Sequence, residues 1–501
     1  MQRIIKPSSF IKDMTFTSIT FITTVVSLIV VTRFLAEGLG PEMFGAYSLA
    51  RNILSTTISF STLAMGVAIP RYVALTKDYH IKISYLLSGL ILISTSCLIL
   101  LTLGLIFNDK LTVLIFNDRA YSSLFTASMV MVIGYSLYSV LYGFYRGLGK
   151  MSKANLWQLT IMAVSPAVIA FAFHKSGKVD LIIFLMGLVS FTTVIPLISY
   201  GYKALLIRRN SLKIWSHLKE LSQYSFPRIP GGIALASIMT IGPFLASHFI
   251  SLKDAGYVIV GQCVFRIVEG GVGVFGIVTL PKVAQLFAEG RNEFLSDRAN
   301  DILSFIFHLG LFATLHLILW TDRIIFIWLG EQYIDAILPT RVFLIVLVPY
   351  LIYAMFCSVI DAIEKRAVNA YHIYISFITT LCISLILVKT GFGILGLAIG
   401  VAGGYLMLGS LTVIYLFKVY RFRYKTLEVF RCLLLNAFFI IAALIAKKWF
   451  EITYHGMQIV KIAIIMEVCF LLIYCFLLWK MNVGWMVELK NRIVSVGSGE
   501  S

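Results

Sequence analysis

Four arginines stand inside long apolar runs of this sequence: Arg51, Arg228, Arg266 and Arg341. A guanidinium stays charged when buried, and its planar fork of N–H donors fits the paired oxygens of an anion. Within hydrocarbon such a group persists only where it is paired, reaches the surface or faces water. Arg266 lies about ten residues into its run, or about 15 Å deep at 1.5 Å per residue, too deep to reach either surface easily. Glu269 follows three residues later and shares its helix face. The two can neutralise each other in packing, or can line a polar wall with Arg266 on the anion and Glu269 holding it or taking protons. Arg51 is about 10 Å from the nearer end of its run, where the side chain can still reach the surface. Arg228 sits between Pro227 and Pro230, where the helix is expected to be irregular. Arg341 is shallow and reads as an anchor.

Other chemistry is thinly represented. The sequence has no phosphate-binding glycine loop, no HExxH and no Cys/His ligand spacing, and its seven cysteines include no CxxC pair. No cofactor or metal is expected. Glu467 falls in the middle of an apolar run and needs a partner or a proton, though the sequence does not name one. His308, His316 and His372 read as packing residues rather than relays.

The elements that must position these side chains follow from composition. Of the 501 residues, 59% are hydrophobic and 13% charged, and the mean hydropathy is +0.91. Soluble domains carry about 25% charge, so a water-soluble globule, a disordered chain and a nucleic-acid module are all excluded. The net charge of +18 then belongs to basic loops that orient a membrane protein, and no nucleic-acid partner is expected.

Apolar runs between charged or Gly/Pro-rich breaks number fourteen, from 14 to 36 through 457 to 479. The fold class expected is an all-α integral membrane protein of about fourteen spans. Alternate connections together with the termini hold 27 of the 42 lysines and arginines, against 11 on the other side, which puts both termini in the cytoplasm. The longest inner break, 203–225, combines apolar positions at helical spacing with cations between them; it is read either as a surface helix or as a plain basic linker.

An internal repeat divides the chain. Gly45 matches Gly256, Pro70 matches Pro281 and Arg71 matches Lys282, all at an offset of 211. Six spans separate the copies, so the halves point the same way, a plan found in transporters with a cavity between two lobes. The expected domains are a six-helix lobe over 1–202, the basic linker 203–225, a second six-helix lobe over 226–417, and two further helices with a tail over 418–501. Arg71 and Lys282 would face each other as a two-lobed cationic entrance, or serve only to set topology.

At this point LGPEMFGAYSLARN, with its Gly-Pro turn and helix start, resembles the first repeat of bacterial polysaccharide flippases. These belong to the multidrug/oligosaccharidyl-lipid/polysaccharide exporter superfamily. DAGYVIVGQCVFRIVEGG is similar to the matching segment of the second half, and GFGILGLAIGVAGGYLM to the family's twelfth span. The resemblance implies a non-enzymatic carrier in the inner membrane that moves undecaprenyl-diphosphate-linked glycans, such as O-antigen, capsule or exopolysaccharide units, to the periplasmic face. It also implies membrane lipids, a polysaccharide polymerase and a chain-length regulator as partners. An unpaired diphosphate in hydrocarbon costs tens of kcal/mol, which makes Arg51, Arg266 with Glu269, Arg228, Arg71 and Lys282 the candidate binding residues. A cation-coupled multidrug exporter of the same superfamily would be expected to carry an acid in its first span, and none lies between Met14 and Ala36. A peptidoglycan-precursor flippase shares the fourteen spans and the cationic cavity. A polymerase would need a large outer loop, and 321–335 is too short to supply it.

Overall fold

In a bilayer every backbone N–H and C=O must be satisfied within the protein, and an α-helix does so within one segment. The computed structural model describes residues 7–205, 213–267, 292–364, 368–420, 426–454, 457–481 and 483, and among these there are helices and no strand. The chain begins with α1 (Pro7–Ser61), α2 (Met65–Leu75), α3 (Tyr79–Ile106), α4 (Asn108–Phe116) and α5 (Ser122–Gly147). α6 (Met151–Gln158) and α7 (Ser165–Phe173) are joined by a π turn, and α8 (Val179–Ser190) and α9 (Val194–Leu205) by a single 3-10 turn. α10 (Ile214–Ser225) leads into α11 (Ile229–Phe249), and α12 covers 252–267. After the interval come α13 (Asn292–Phe305), α14 (Leu311–Leu329), α15 (Ile337–Ile345), α16 (Leu347–Ile363), α17 (Val368–Lys389), α18 (Gly393–Tyr420), α19 (Thr426–Thr453) and α20 (Met457–Lys480).

Eleven described helices are long and apolar enough to cross a membrane, or twelve when the bent pair Glu331–Ile345 and Leu347–Cys357 counts as one span. Two features account for the shortfall from fourteen. Thr15–Ser61 is 47 residues, about 70 Å of helix, more than twice a hydrocarbon core. It breaks at Gly40, whose φ of 72° and ψ of 170° lie outside helical space. Glycine takes a positive φ without steric cost, and Pro41 starts the second arm where its missing N–H has no partner to lose. The expected first span, 14 to 36, lies in the first arm of α1, and the expected second, 44 to 69, runs from the second arm across a break after Ser61 into α2. The expected eighth span is described only to residue 267.

The second arm ends at Ser61, and the chain restarts as α2 after Leu63 and Ala64, both with positive φ (49° and 55°). Neither is glycine, so the break stores strain. On its far side Asp78 starts α3 by accepting the His80 N–H at 2.8 Å.

Packing sets the centre and the periphery. The spanning stretch of α5 is 72% buried, whereas those of α19 and α20 are 22% and 17% buried. α5 packs Val140, Leu141 and Phe144 with Met65, Ile69 and Val73 of α2. On the C-terminal side Phe265 of α12 meets Tyr350 of α16 and Tyr405 of α18 with ring centroids 4.9 and 5.2 Å apart. A third cluster joins the two regions: Phe44 and Tyr47 of α1 with Tyr257, Ile325, Leu329 and Tyr333. α19 and α20 lie against α14 through Trp320, Ala443, Phe450 and Ala463.

Residues 214–225 of the expected linker form a helix held on α3. Ser84 shares a 2.7 Å hydrogen bond with His217, Ser88 donates to the Ile214 carbonyl and Tyr85 donates to Glu220 at 2.7 Å. Trp215 projects outward, 83% exposed. Residues 206–212 of that linker lie outside the described residues.

Candidate functional site

The second arm of α1 and helix α12 touch where their side chains vanish. A Cβ on Gly45 would overlap the Leu252 carbonyl oxygen, and one on Gly256 would lie 3.0 Å from the Pro41 oxygen and 3.1 Å from the Gly45 Cα. The two glycines that the repeat pairs thus lie against each other. The contact continues along the same membrane face. Tyr257 donates to the Gln332 carbonyl at 3.0 Å, Tyr333 to the Ala36 carbonyl at 3.1 Å and Trp328 to the Ile29 carbonyl at 3.0 Å. Arg33 donates to the Ile327 and Trp328 carbonyls, the negative end of α14. This face of the molecule is closed between the first two arms and α12 to α15.

Beneath the closure lies a polar layer. Counting from the touching glycines, Arg51 is about 9 Å and Arg266 about 15 Å along its helix. Asn52 stands between them: it accepts from Arg266 Nη2 at 3.4 Å, donates to Gln262 at 3.3 Å and receives the Thr240 hydroxyl on its carbonyl at 3.2 Å. Gln262 in turn donates to the Met239 carbonyl at 2.7 Å, and Thr56 meets Thr240 at 2.9 Å. Arg51 Nη1 points to the Met186 sulfur at 3.7 Å and lies beside the hydroxyls of Tyr47 and Tyr135. The Cys263 thiol is within electrostatic reach of both guanidinium groups. Both arginines are half-buried and belong to the seam between helices. Among the described residues neither has a carboxylate partner. An arrangement of two cations with several neutral hydrogen-bonding groups favours an anion with more than one oxygen.

Two further expected residues meet elsewhere. Arg71, at the far end of α2, and Arg228, in the turn before α11, both lie over the ring of Tyr224, at 5.0 and 3.8 Å from its centroid. Arg228 also donates to the Tyr224 carbonyl at 2.6 Å. Tyr224 packs edge-on to Tyr72, which stacks on Tyr85. Arg71 and Arg228 are exposed, so this is a cationic and aromatic rim on the face opposite the closure. Glu269 and Lys282 lie outside the described residues; among those described, Arg71 shares its tyrosine with Arg228.

Glu467, the acid in the middle of an apolar run, has its partners among the described residues. His316 lies 2.7 Å from Glu467, and Trp320 donates to the same carboxylate at 2.6 Å. Trp320 is 6% exposed and turned inward to this acid. His308 bonds Tyr474 at 3.1 Å. Sequence reasoning passed over Asn52, Tyr47, Tyr135 and Thr240. A signal for the first was present: Asn52, Thr56 and Ser59 recur at helical spacing along one stripe of the second arm of α1.

Residues 10–287, more than half of the chain, match the family described as polysaccharide biosynthesis protein. The chain belongs to that family. Among curated proteins none matches its sequence. In structure this polysaccharide biosynthesis protein is similar to the lipid II flippase MurJ in an inward closed conformation, with a TM-score of 0.70 at 15% identity, over 94% of this chain and 99% of that one. It is also similar to an inward-facing multidrug resistance MATE family transporter of the MOP superfamily (TM-score 0.64, 14% identity, 79% and 94% covered). A MOP superfamily transporter from Pyrococcus furiosus gives 0.61 at 16% identity, with 82% and 96% covered. The polysaccharide biosynthesis protein therefore has the all-helical fold of that superfamily, as the sequence resemblance implied.

Proposed function

We propose that this chain is a flippase that carries undecaprenyl-diphosphate-linked oligosaccharide repeat units from the cytoplasmic to the periplasmic face of the inner membrane. The observation that carries the reading is the pair Arg51 and Arg266, two cations at membrane depth, the first against Met186 and the second held by Asn52, with no carboxylate among their described partners. The diphosphate is the anion this layer suits, and the prenyl chain stays in lipid. Residues 1–202 and 226–417 act as two lobes around it, with 418–501 appended. The contact of Gly45 with Gly256 supports this division, because residues that exchange under a two-fold and touch each other lie on its axis. With both termini cytoplasmic, the closed face is periplasmic and the rim of Arg71, Tyr224 and Arg228 is the entrance. Glu269, three residues after Arg266, and Lys282, the repeat counterpart of Arg71, are assigned to the same anion in this reading from their sequence positions alone. The cycle is alternating access without covalent chemistry, and a polymerase and chain-length regulator receive the product.

The test is a deletion strain complemented with the wild-type chain or with Arg266→Ala. Loss of surface polysaccharide and accumulation of the lipid-linked unit on the inner leaflet are expected in the deletion and the variant alike. Full surface polysaccharide with Arg266→Ala would remove the assigned site.

A second reading, a peptidoglycan-precursor flippase, is favoured by the extent of the match to MurJ. Rescue of a strain depleted of its lipid II flippase would favour it over the first. Drug export is the weaker alternative, given a first span without an acid; unchanged drug susceptibility in the deletion strain is the expected result.

A further inference from the structure

On the closed face, but away from the seam, α14, α15 and α19 enclose a groove of about 630 Å³. Its walls are half apolar, from Ile318, Leu319, Leu444 and Ile445, and half charged, from Arg341, Lys447, Lys448 and Glu451. The charges do not balance. Asp322 is shared by three cations: Lys447 at 2.7 Å, Arg323 at 3.7 Å and Arg341 at 3.7 Å. Glu451 is taken by Arg323 at 2.9 Å. Four cations therefore meet two carboxylates.

The surplus is localised. Lys447 is fully engaged, donating to the Leu319 carbonyl as well as to Asp322 and lying 5.2 Å over the Trp320 ring. Arg341 has its acid only at 3.7 Å, beyond hydrogen-bond length, and its Nε–H is buried without an acceptor. Lys448 is exposed on the groove wall and makes no ion pair among the described residues. A buried N–H donor left unmatched is unfavourable, so an oxygen-rich anion at the groove would satisfy an existing demand.

We propose that this groove binds the anionic phosphate headgroup of a membrane phospholipid, with Arg341 and Lys448 on the phosphate and the acyl chains along Leu444 and Ile445. Three observations select a lipid over a free anion. The charged wall adjoins an apolar one. Leu444 and Ile445 are 50% and 67% exposed on the outer side of α19, continuous with its lipid-facing surface. Lys448 stands five residues before Thr453, the end of α19, so the cation lies about 8 Å from the helix end, near headgroup depth. Bound there, the lipid joins α19 to α14 and α15. This site is separate from the arginine layer and does not depend on the transport reading.

The test is native mass spectrometry of the full-length chain in detergent, titrated with phosphatidylglycerol, phosphatidylcholine or inorganic phosphate. One phosphatidylglycerol is expected to bind at least fivefold more tightly than phosphatidylcholine. Arg341→Gln with Lys448→Gln is expected to abolish that preference, whereas Lys175→Gln with Lys178→Gln, exposed in the turn before α8, leaves it intact. Leu444→Trp, which fills the groove and keeps every charge, is expected to weaken both lipids. Lys448→Gln alone, at an exposed position, carries the test if the double variant is not monodisperse, with at least a twofold loss expected. Unchanged preference in the charge variants overturns the proposal. So do equal affinities for the two lipids, displacement of the lipid by millimolar inorganic phosphate, and a dimer that Leu444→Trp dissociates, which would make the groove a contact between copies.

Discussion

Asn52 decides what Arg266 can do. Its side chain holds the guanidinium from one side and Gln262 from the other, and it is 5% exposed. Asn52→Leu removes both bonds and leaves Gln262 and Arg266 short of a partner, a loss of about 1 to 3 kcal/mol. Thermal unfolding in detergent should show the lowered midpoint, and an unchanged midpoint would mean that water replaces the amide at no cost. Arg51 and Arg266 differ from Asn52 in kind. Their charge is expected to matter to translocation rather than to folding, so Arg51→Gln and Arg266→Gln should each lower flipping of the lipid-linked unit about tenfold, equivalent to about 1.4 kcal/mol, with unfolding nearly unchanged. Inner-leaflet accumulation of the unit is the measurement. A thiol and a thioether, Cys263 and Met186, complete the surroundings; they add soft contacts but no charge, which keeps the layer positive.

At the scale of elements, two positions control how the second arm of α1 sits. Gly45 allows the arm to reach α12 because the Leu252 carbonyl fills the space a side chain would need. Gly45→Val must push the helices apart, a strain of about 1 to 3 kcal/mol. The expected result is a lower unfolding midpoint with greater labelling of cysteines introduced near the closed face. The break after Ser61 works in the opposite sense. Ala64 has φ of 55° without being glycine, so Ala64→Gly should raise stability by up to about 1 kcal/mol. Reduced transport in that stabilised variant would tie the strain to the movement of α2 rather than to folding. The C-terminal pair shows how an element can be apolar and still specified. Most of its surface faces lipid, yet Glu467 meets His316 and Trp320, and Asn436 donates to Tyr474 at 2.9 Å. Polar contacts of this kind fix the register of a helix that hydrophobic burial alone cannot orient in a bilayer.

The whole molecule is closed on one face, and the Thr56 and Thr240 hydroxyls, 2.9 Å apart, mark how far that closure extends. Thr56→Cys with Thr240→Cys, in a background lacking the seven native cysteines, should form a disulfide that stops transport and releases it on reduction. A crosslinked protein that still transports would exclude opening along this seam. If the cargo is a dianion moving outward, a potential of 100 mV, negative inside, contributes about 4 to 5 kcal/mol, and transport in reconstituted vesicles should accelerate as that potential is imposed. Much of this was legible in the chain alone. Sparse charge and long apolar runs dictate helices in a bilayer, because nothing else satisfies the backbone there; LGPEMFGAYSLARN and its later counterpart carried the superfamily; and Arg51 and Arg266 stood out as charges in hydrocarbon. The partners of those charges were not legible. Asn52 and Gln262 are 210 residues apart in sequence, and Glu467 lies 147 residues from Trp320. Helical periodicity fixes which residues share one face of one helix, whereas the choice of facing helix depends on small-residue contacts such as Gly45 on Gly256, and that choice exists only once the chain has packed.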